Sequence, residues 1–248
     1  MTDDAATDAA LAAEIAHEAG TLLLDLQRSR EYEGRELGDM GDRRANALIL
    51  QRLRAERPAD CILSEESVDI GDRLGASRVW VIDPLDGTRG YGEGGGDWAV
   101  HVALAVDGAP AHGAVALPTL QTTFRSDRPV DLPAARIEAP RILVSTTRMP
   151  AEAPALADAL DGSLIHMGSA GYKAMAVLRG EADIYYHSGG QFEWDNCAPA
   201  AVALGHGLHC SRIDGSPQVY NQADTLMPDL LVCHPEWAER ALAAIAAL

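Results

Sequence analysis

The chain has 248 residues, of which 47% are hydrophobic and 23% are charged, a composition typical of a globular protein of one large or two small domains. Its 37 acidic residues outnumber its 20 basic residues, which gives a formal net charge of -17. Because such a surface repels long nucleic acids and anionic membranes, we expect neither as a partner. A small anionic substrate is compatible with this charge if metal ions reverse the local field.

The cysteines and the N-terminal segment bear on the compartment. The four cysteines are widely spaced and form no Cys-x-x-Cys pair: Cys61, Cys197, Cys210 and Cys233. The acidic, alanine-rich N-terminal segment lacks the basic start and apolar core of a signal peptide. No apolar run approaches the roughly 18 residues of a membrane span. We therefore expect free thiols and a cytoplasmic protein.

Apolar periodicity in the first half predicts two helices followed by a sheet. The first helix covers residues 5–29, and the second runs from about Asp42 to Arg57, after Gly34 and Gly38 break the pattern. Asp42 then lies in a first helical turn, where the helix dipole favours a carboxylate. Strands are predicted at residues 61–63, 79–82, 98–106, 113–117 and 122–125, the third and fourth joined by an Asp107-Gly108 hairpin turn.

Strands and helices alternate in the second half. The proline-containing segment 127–140 is the predicted connector, which divides the chain into subdomains of residues 1–135 and 136–248. Strands are predicted at 141–145, 164–167, 183–186, 207–212 and 230–233, and helices at 151–160, at 171–179, after Asp195 and from Pro235. The expected fold class is α/β, with an α+β N-terminal half and an α/β C-terminal half.

The segment from Val79 to Thr88 carries the strongest functional signal. Its apolar start predicts a buried strand that ends at Asp83, because Pro84 favours an extended residue before it. Asp86 follows three residues later, and Gly87-Thr88 begins a turn whose free N–H groups offer an anion site. Two carboxylates beside an anion site require cations between them, and oxygen ligands favour magnesium. The pattern predicts a magnesium-dependent phosphate site; the alternative is a surface turn.

Further carboxylates lie at the ends of other predicted elements: Asp42 at a helix start, Glu65 after a strand, and Asp195 before a helix. A single acidic residue in such a position is most often a cap or solvated. Ligands of α/β sheets gather at the carboxyl ends of strands, however, so the joint pattern predicts one shared site.

Three motifs together resemble the inositol monophosphatase superfamily: Ser64-Glu65-Glu66-Ser67, Asp83-Pro84-Leu85-Asp86-Gly87-Thr88 and Trp194-Asp195-x-x-Ala198-Pro199. They follow that family's order and approximate spacing, and the resemblance covers nearly the whole chain. The Thr88-Arg89 continuation, the Gly168–Gly171 loop and Gln191–Asp195 are most similar to its CysQ branch, the 3'(2'),5'-bisphosphate nucleotidases. The resemblance implies a layered αβαβα sandwich and a homodimer.

The resemblance also implies a metal centre of two to three magnesium ions. The implied metal ligands are Glu65, Asp83, the Leu85 carbonyl, Asp86 and Asp195, with Asp83 bridging two ions. The implied catalytic residues are Asp42, Thr88 and Glu65, of which Thr88 and Asp42 orient an attacking water held at the metal site and accept its proton. The N–H groups of Gly87 and Thr88 are expected to hold the phosphate.

Candidate substrate contacts surround this centre: Ser145, Arg148, Gly168, Ser169, Lys173 and His187. Lys173, the only lysine, binds a second phosphate in this interpretation; the alternative is a solvated side chain. Inositol phosphatases carry a sugar-binding Glu where this chain has Tyr186-His187-Ser188-Gly189, which argues against inositol as the preferred substrate. His187 then contacts a nucleotide or is structural. Asp39 stands where the family often has Thr, so the details of water activation are open.

Two other features have simpler explanations. His206, His209 and Cys210 are close in sequence but lack the fixed spacing of a zinc site. The glycine-rich loop Gly90 to Gly96 contains no Gly-Lys-Ser/Thr and is not a P-loop; we expect a mobile flap over the site.

These observations predict a magnesium-dependent, lithium-sensitive phosphatase that acts on adenosine 3',5'-bisphosphate and its 5'-phosphosulfate relative in sulfur assimilation. One alternative is a phosphatase of inositol 1-phosphate or another sugar phosphate, including fructose 1,6-bisphosphate. The alternative of another class is a non-catalytic sensor that binds magnesium or nucleotide in the same pocket.

Overall fold

The computed structural model describes residues 3–69 and 71–248, which form seven α-helices and ten strands. The helices are α1 (Asp3–Ser29), α2 (Gly34–Glu56), α3 (Thr88–Gly92), α4 (Ala153–Ala159), α5 (Ala170–Leu178), α6 (Glu193–Gly205) and α7 (Pro235–Ala246). The strands are β1 (Cys61–Ser64), β2 (Arg78–Asp86), β3 (Ala99–Val106), β4 (Ala109–Leu117), β5 (Thr122–Arg125), β6 (Arg141–Ser145), β7 (Ser163–Met167), β8 (Ile184–Phe192), β9 (His209–Ser211) and β10 (Leu226–Cys233).

The strands form two five-stranded sheets. The first has the order β1-β2-β3-β4-β5, with β1 parallel to β2 and every other pair antiparallel. The second has the order β7-β6-β8-β10-β9, with β7, β6 and β8 parallel and the last two strands antiparallel to their neighbours. The predicted Asp107-Gly108 hairpin joins β3 to β4, and both residues have positive φ, as a tight hairpin turn requires.

Successive side chains of β2 point to opposite faces of the first sheet, and this explains how the layers stack. Trp80 and Ile82 pack into the core that the first sheet shares with α1 and α2. Val79 and Val81 point to the opposite face, into a second core that contains α5, α6 and residues of the second sheet. A third core joins the outer face of the second sheet to α4 and α7. The order α1/α2, sheet, α5/α6, sheet, α4/α7 confirms the predicted αβαβα sandwich.

The start of the second helix was predicted wrongly. Helix α2 begins at Gly34, not at about Asp42, so Asp42 lies in its third turn and not its first. Gly34 and Gly38 therefore lie within the helix that they were expected to break. A side chain at Gly38 would place its Cβ 2.8 Å from Thr88 Cγ2, so glycine is needed there for close packing against α3.

Several strands extend beyond their predicted ends. Strand β2 does not stop at Asp83 but continues to Asp86, with a bulge between these two residues in its pairing with β3. Strand β8 continues to Phe192 and β10 begins at Leu226, because these segments pair with each other despite their glycines and Pro228. Helix α6 begins two residues before Asp195, and β4 begins at Ala109.

The glycine-rich segment is only partly a loop. Its first three residues, Gly90–Gly92, end α3. The Tyr91 and Gly95 carbonyls accept hydrogen bonds from Gln27 Nε2 at 3.0 and 3.2 Å, and the Gly96 carbonyl accepts one from Thr119 at 2.8 Å. These contacts hold the segment against α1 and the residues after β4, and its movement as a flap stays a prediction.

The connector between the two sheets runs from residue 126 to residue 140 and contains the predicted subdomain boundary. Residues 1, 2 and 70 of the predicted first subdomain lie outside the described residues, and the division into two subdomains stays a prediction. Across the part of the chain that is described, no helix is long and apolar enough to cross a membrane.

Contact between α3 and α2 gives a test of this packing. At Gly92, an added Cβ would lie 2.4 Å from the Gly34 carbonyl oxygen, whereas one at Gly90 would meet nothing within 4 Å. We expect Gly92→Ala to lower the free energy of unfolding by about 1–3 kcal/mol, because a methyl group is forced into filled space. Urea unfolding measures this change.

Gly90→Ala is the matched control in the same helix. Since alanine favours a helix over glycine, this variant should keep or raise the free energy of unfolding, by up to about 1 kcal/mol. Equal stabilities of the two variants would contradict the packing of α3 against α2.

Candidate active site

Three carboxylates from two parts of the chain meet where β2 ends and α6 begins. Asp83 and Asp86 come from the bulged end of β2, and Asp195 lies in the first turn of α6. One carboxylate oxygen of each lies within 4.8 Å of the other two, a grouping that can hold a metal ion. The three metal ligands predicted at these positions are therefore brought together.

Glu65 joins this group from the residue after β1. Its carboxyl group lies in hydrogen-bond contact with that of Asp83. The Glu65 backbone N–H donates to the Ile82 carbonyl at 3.3 Å, so the parallel pairing of β1 and β2 continues to the site. Parallel pairing explains why two strand ends deliver acidic side chains to one place.

Local hydrogen bonds fix the turn that carries these ligands. Asp83 Oδ1 accepts the Leu85 N–H at 3.0 Å, and the Leu85 carbonyl accepts the Thr88 hydroxyl at 3.0 Å. Gly87 has φ +98°, which favours glycine, and precedes α3. The Thr88 side chain also contacts the buried Asp42 carboxylate of α2. In this structure the hydroxyl donates to the Leu85 carbonyl, and Asp42 Oδ1 has no hydrogen-bond partner among the described residues.

Burial and mutual repulsion make these carboxylates hard to ionise. Burial, followed by the negative charge of Asp86, raises the pKa of Asp195 to about 6. Burial and the charge of Asp195 raise the pKa of Glu65 to about 7. Burial and the nearby glutamates raise the pKa of Asp42 to about 8, and burial raises the pKa of Asp83 well above its ordinary value. A bound cation would favour the charged forms, so this donor set fits magnesium.

Asp86 is the exception. Burial alone would raise its pKa, but hydrogen bonding and charge from His101, with the charge of Lys173, lower the pKa well below the ordinary value. Its Oδ2 atom accepts the Ser169 hydroxyl at 2.5 Å and the Gly171 N–H at 2.7 Å, and His101 Nε2 lies 3.2 Å away. Asp86 is therefore the carboxylate that the protein itself keeps ionised.

His101 was missed by the sequence analysis. It lies on β3, fully buried, with Nδ1 3.1 Å from the Trp194 carbonyl oxygen. Burial opposes protonation of its ring, but the contact with Asp86 outweighs burial, so the pKa of His101 is raised. The available signal was a single histidine in the otherwise apolar run from Trp98 to Val106.

The Gly168–Gly171 loop joins the site to the second half of the chain. Ser169 caps α5: its hydroxyl accepts the Tyr172 N–H at 3.0 Å while donating to Asp86. The Lys173 ammonium donates to the Gly168 and Ser169 carbonyls at 3.1 and 2.5 Å, with the side chain only 3% exposed. The alternative of a solvated lysine is wrong. Burial lowers the pKa of Lys173 to about 8.

Two further basic side chains lie beside Lys173. The charge of Arg148 acts on the pKa values of both Lys173 and His187, which indicates that the three lie close together. Arg148 is exposed, with Nη1 3.4 Å from the Gly190 carbonyl. His187 is buried on β8, and neither ring nitrogen makes a well-formed hydrogen bond to the described residues. Burial, with the charges of Lys173 and Arg148, lowers the pKa of His187 to about 4.

Ser145 has a local contact that the sequence did not predict. It ends β6, and its hydroxyl accepts the N–H groups of Thr147 at 3.3 Å and Arg148 at 3.1 Å. Since Ser145 pairs with Met167 of β7, it lies beside the loop that begins at Gly168. The Ser145 hydroxyl thereby orders the turn that carries Arg148.

The histidines and cysteine considered for zinc lie elsewhere. His206 ends α6 and its Nδ1 bonds to the Val202 carbonyl at 2.8 Å, while His209 Nε2 bonds to the Ser211 hydroxyl at 2.8 Å. Within residues 3–69 and 71–248, the potential metal ligands that lie close enough together to share an ion are Asp83, Asp86 and Asp195.

Comparisons with known proteins agree with this geometry. The chain is 48% identical to the 3'-phosphoadenosine 5'-phosphate phosphatase of Mycobacterium leprae, over 96% of this chain and 93% of that protein. The inositol monophosphatase of Anabaena superimposes with a TM-score of 0.79 at 21% identity, covering 98% of this chain and 96% of that chain. CysQ from Bacteroides thetaiotaomicron superimposes with a TM-score of 0.78 at 24% identity, covering 92% and 97%.

The two solved structures share the fold, and the Mycobacterium relative shares nearly half of the residues across almost the full length. The model of the inositol monophosphatase family matches residues 4–248, a range that includes every carboxylate of the site. The chain therefore belongs to the inositol monophosphatase family.

Proposed function

We propose that this chain is a magnesium-dependent phosphomonoesterase that removes the 3'-phosphate of adenosine 3',5'-bisphosphate and of its 5'-phosphosulfate relative. The observation that carries the proposal is the cluster of Asp83, Asp86, Asp195 and Glu65 with the basic side chains of Lys173 and Arg148 close to it. The 48% identity to a 3'-phosphoadenosine 5'-phosphate phosphatase supports the same substrate. All four cysteines are free, which fits the reducing cytoplasm that we propose as its compartment.

The family depends on magnesium in general, and we propose two to three ions in this site. Glu65, Asp83, Asp86, Asp195 and the Leu85 carbonyl would hold them. Bound magnesium neutralises charge on the attacking and leaving oxygens of an in-line displacement. Without such neutralisation, hydrolysis of a phosphate monoester is among the slowest reactions known in water.

The remaining groups act on water and phosphate. Asp42 and Thr88 orient the attacking water, and Asp42 accepts its proton; the contact between their side chains supports this pairing. The Gly87 and Thr88 N–H groups bind the phosphate that is transferred. Water adds to phosphorus, the bond from phosphorus to the 3'-oxygen breaks, and that oxygen takes up a proton. The products are inorganic phosphate and adenosine 5'-monophosphate.

The basic group beside the carboxylates supports a substrate with two phosphates. Arg148 is exposed and supplies direct contact with the second phosphate, because an arginine can donate two parallel hydrogen bonds to it. Lys173 is buried and adds its charge while fixing the loop at Gly168 and Ser169. His187 has unpaired ring nitrogens among the described residues and offers a neutral contact to the nucleotide.

One prediction concerns substrate and metal. We expect phosphate release from adenosine 3',5'-bisphosphate to need magnesium, to stop with EDTA and to be inhibited by lithium. The value of kcat/KM should exceed that for inositol 1-phosphate by more than about tenfold, equivalent to about 1.4 kcal/mol of transition-state binding. A preference for the inositol ester would overturn the substrate, and absence of turnover on either would favour the magnesium or nucleotide sensor.

Asp83→Asn tests the carboxylate cluster in the same assay. We expect turnover to fall by at least about a thousandfold, since Asp83 is the central ligand of the proposed metal centre. The metal-free variant should unfold at or above the temperature of the metal-free wild type, because a neutral amide replaces a carboxyl group whose ionisation is opposed by burial and by the neighbouring carboxylates. Asp158→Asn, on an exposed position of α4, is the matched control and should keep full turnover. Survival of turnover in Asp83→Asn would contradict the metal assignment.

Another prediction concerns pH. The folded-state pKa values of Asp195, Glu65 and Asp42, about 6, 7 and 8, lie above their ordinary values, so folding favours the uncharged forms. Their contribution to stability is complete below about pH 4 and is lost as pH rises through those values. We expect the melting temperature of metal-free protein to fall between about pH 5 and pH 9.

Magnesium should offset this loss, because it binds the ionised carboxylates. Differential scanning fluorimetry across the pH range, with magnesium or with EDTA, measures both effects. The increase in melting temperature on adding magnesium should grow across the same window and exceed about 2–4 °C, the change that about 1 kcal/mol produces in a domain of this size. Asp42→Asn should flatten the alkaline part of the EDTA curve. An EDTA curve that rises with pH would contradict the ionisation scheme.

A further prediction concerns Arg148. We expect Arg148→Gln to raise KM for adenosine 3',5'-bisphosphate about tenfold while changing KM for adenosine 3'-monophosphate less than about twofold, because only the first substrate has a second phosphate. Arg54→Gln removes an exposed arginine from α2 and is the control for net charge. An equal rise of KM for both substrates would contradict contact between Arg148 and the second phosphate.

A further inference from the structure

We propose that His101 is a positioning residue of the metal centre, a brace that fixes Asp86 relative to Asp195. This inference rests on the proposed magnesium site. It goes beyond that site because His101 would hold no ion and contact no substrate; it would act through the two ligands that it connects.

The ring of His101 lies between two elements that must meet for the site to form. On β3, His101 pairs directly with Asp83 of β2, at the edge of the bulge that precedes Asp86. Its Nε2 atom lies 3.2 Å from Asp86 Oδ2, and its Nδ1 atom lies 3.1 Å from the carbonyl oxygen of Trp194. Trp194 immediately precedes Asp195. The His101 side chain therefore contacts one proposed metal ligand, Asp86, and the residue next to another, Asp195.

Both partners of the ring are hydrogen-bond acceptors. A carboxylate and a backbone carbonyl have no proton to give, so each ring nitrogen faces an acceptor. Nδ1 lies in hydrogen-bond geometry with the Trp194 carbonyl, whereas Nε2 lies at contact distance from Asp86 Oδ2 without a well-aligned hydrogen bond. The side chain is 0% exposed, so water does not compete for either contact. Partners behind a metal ligand commonly set its orientation, and their loss costs about 10–100-fold in metal affinity or activity.

The first turn of α5 packs closely against the ring. A Cβ atom added at Gly171 would lie 2.0 Å from His101 Nε2. Gly171 also donates its N–H to the same Asp86 Oδ2 atom, at 2.7 Å. Its lack of a side chain thus allows the backbone and the imidazole to reach one oxygen together.

Asp86 is consequently held by one of its two oxygens. Ser169, Gly171 and His101 all converge on Oδ2, whereas no described residue forms a hydrogen bond to Oδ1. Rotation of the carboxylate would break these contacts at once. The arrangement fixes the orientation of the Asp86 carboxylate and leaves its Oδ1 atom free to bind an ion.

Shortening the side chain tests the brace. In His101→Asn, the amide can still donate to the Trp194 carbonyl but cannot reach Asp86. We expect its magnesium dissociation constant, measured by isothermal titration calorimetry without substrate, to rise about tenfold or more. The magnesium concentration for half-maximal turnover should rise by the same factor, with KM for substrate at saturating magnesium changed less than about twofold. His101→Gln, which can reach Asp86, should recover part of the affinity.

His206→Asn is the matched control. His206 is also buried and also bonds a backbone carbonyl through Nδ1, but it lies at the opposite end of α6 from Asp195. It should lower the melting temperature without changing the magnesium dissociation constant. If His101→Asn does the same, His101 is only a structural residue and the inference is wrong.

A second variant tests the brace at Gly171, in the first turn of α5. Gly171→Ala should weaken magnesium binding in the wild-type background, because its methyl group displaces the ring. In the His101→Asn background the clashing Nε2 atom is absent, so the added loss should be less than about a third of that in wild type. Additive losses would contradict the brace. If His101→Asn does not fold, the same magnesium titration is made on His101→Gln and Gly171→Ala. Both should bind magnesium more weakly than the wild type, and unchanged binding in both would contradict the brace. Absence of magnesium binding by the wild type would instead overturn the proposed function.

Discussion

The structure depends on bringing like charges together in a buried place. Asp83, Asp86, Asp195 and Glu65 come from three different elements, and burial works against the ionised form of each. A cluster of this kind is unfavourable for folding unless its charge is neutralised, by protons or by cations. Protons do this in the metal-free protein, as the raised pKa values of three members indicate. The active site is therefore a strained part of the fold that cations would relieve.

The positive side chains of the protein neutralise the four carboxylates unequally. His101 and Lys173 outweigh burial at Asp86 and lower its pKa, whereas the charges of His101 and Arg148 only partly offset the burial that raises the pKa of Asp195. At Asp83 and Glu65, burial and the neighbouring carboxylates dominate and raise the pKa. One ligand is thereby charged and fixed in advance, while the others change their charge state with occupancy. Such a division lets the site have a defined geometry before any ion arrives, without filling the place that the ions would take.

Much of this could be predicted from the sequence, for identifiable reasons. Apolar runs located the strands, because a strand buried on both faces is continuously hydrophobic, as Val79 to Ile82 is. The motif around Asp83 indicated the acidic site, because its ligands are near neighbours in sequence. Glycine was misleading: Gly38 weakens a helical pattern locally, yet it is required by packing against Thr88, a contact between residues 50 positions apart. The link from His101 to Asp86 and Trp194 also joins distant residues, and no local pattern contains it.

The distribution of charge around the site also bears on substrate choice. A chain of net charge -17 repels a bisphosphate at long range, so attraction has to arise locally. The carboxylate cluster attracts it only with cations bound, whereas Arg148 and Lys173 carry positive charges of their own close to the cluster. A substrate with a single phosphate would be attracted by the metal-loaded carboxylates alone. A substrate with two phosphates would be attracted by the metal-loaded carboxylates and by the basic side chains together. The fixed distance between its two phosphates would then determine which of them lies over the carboxylates.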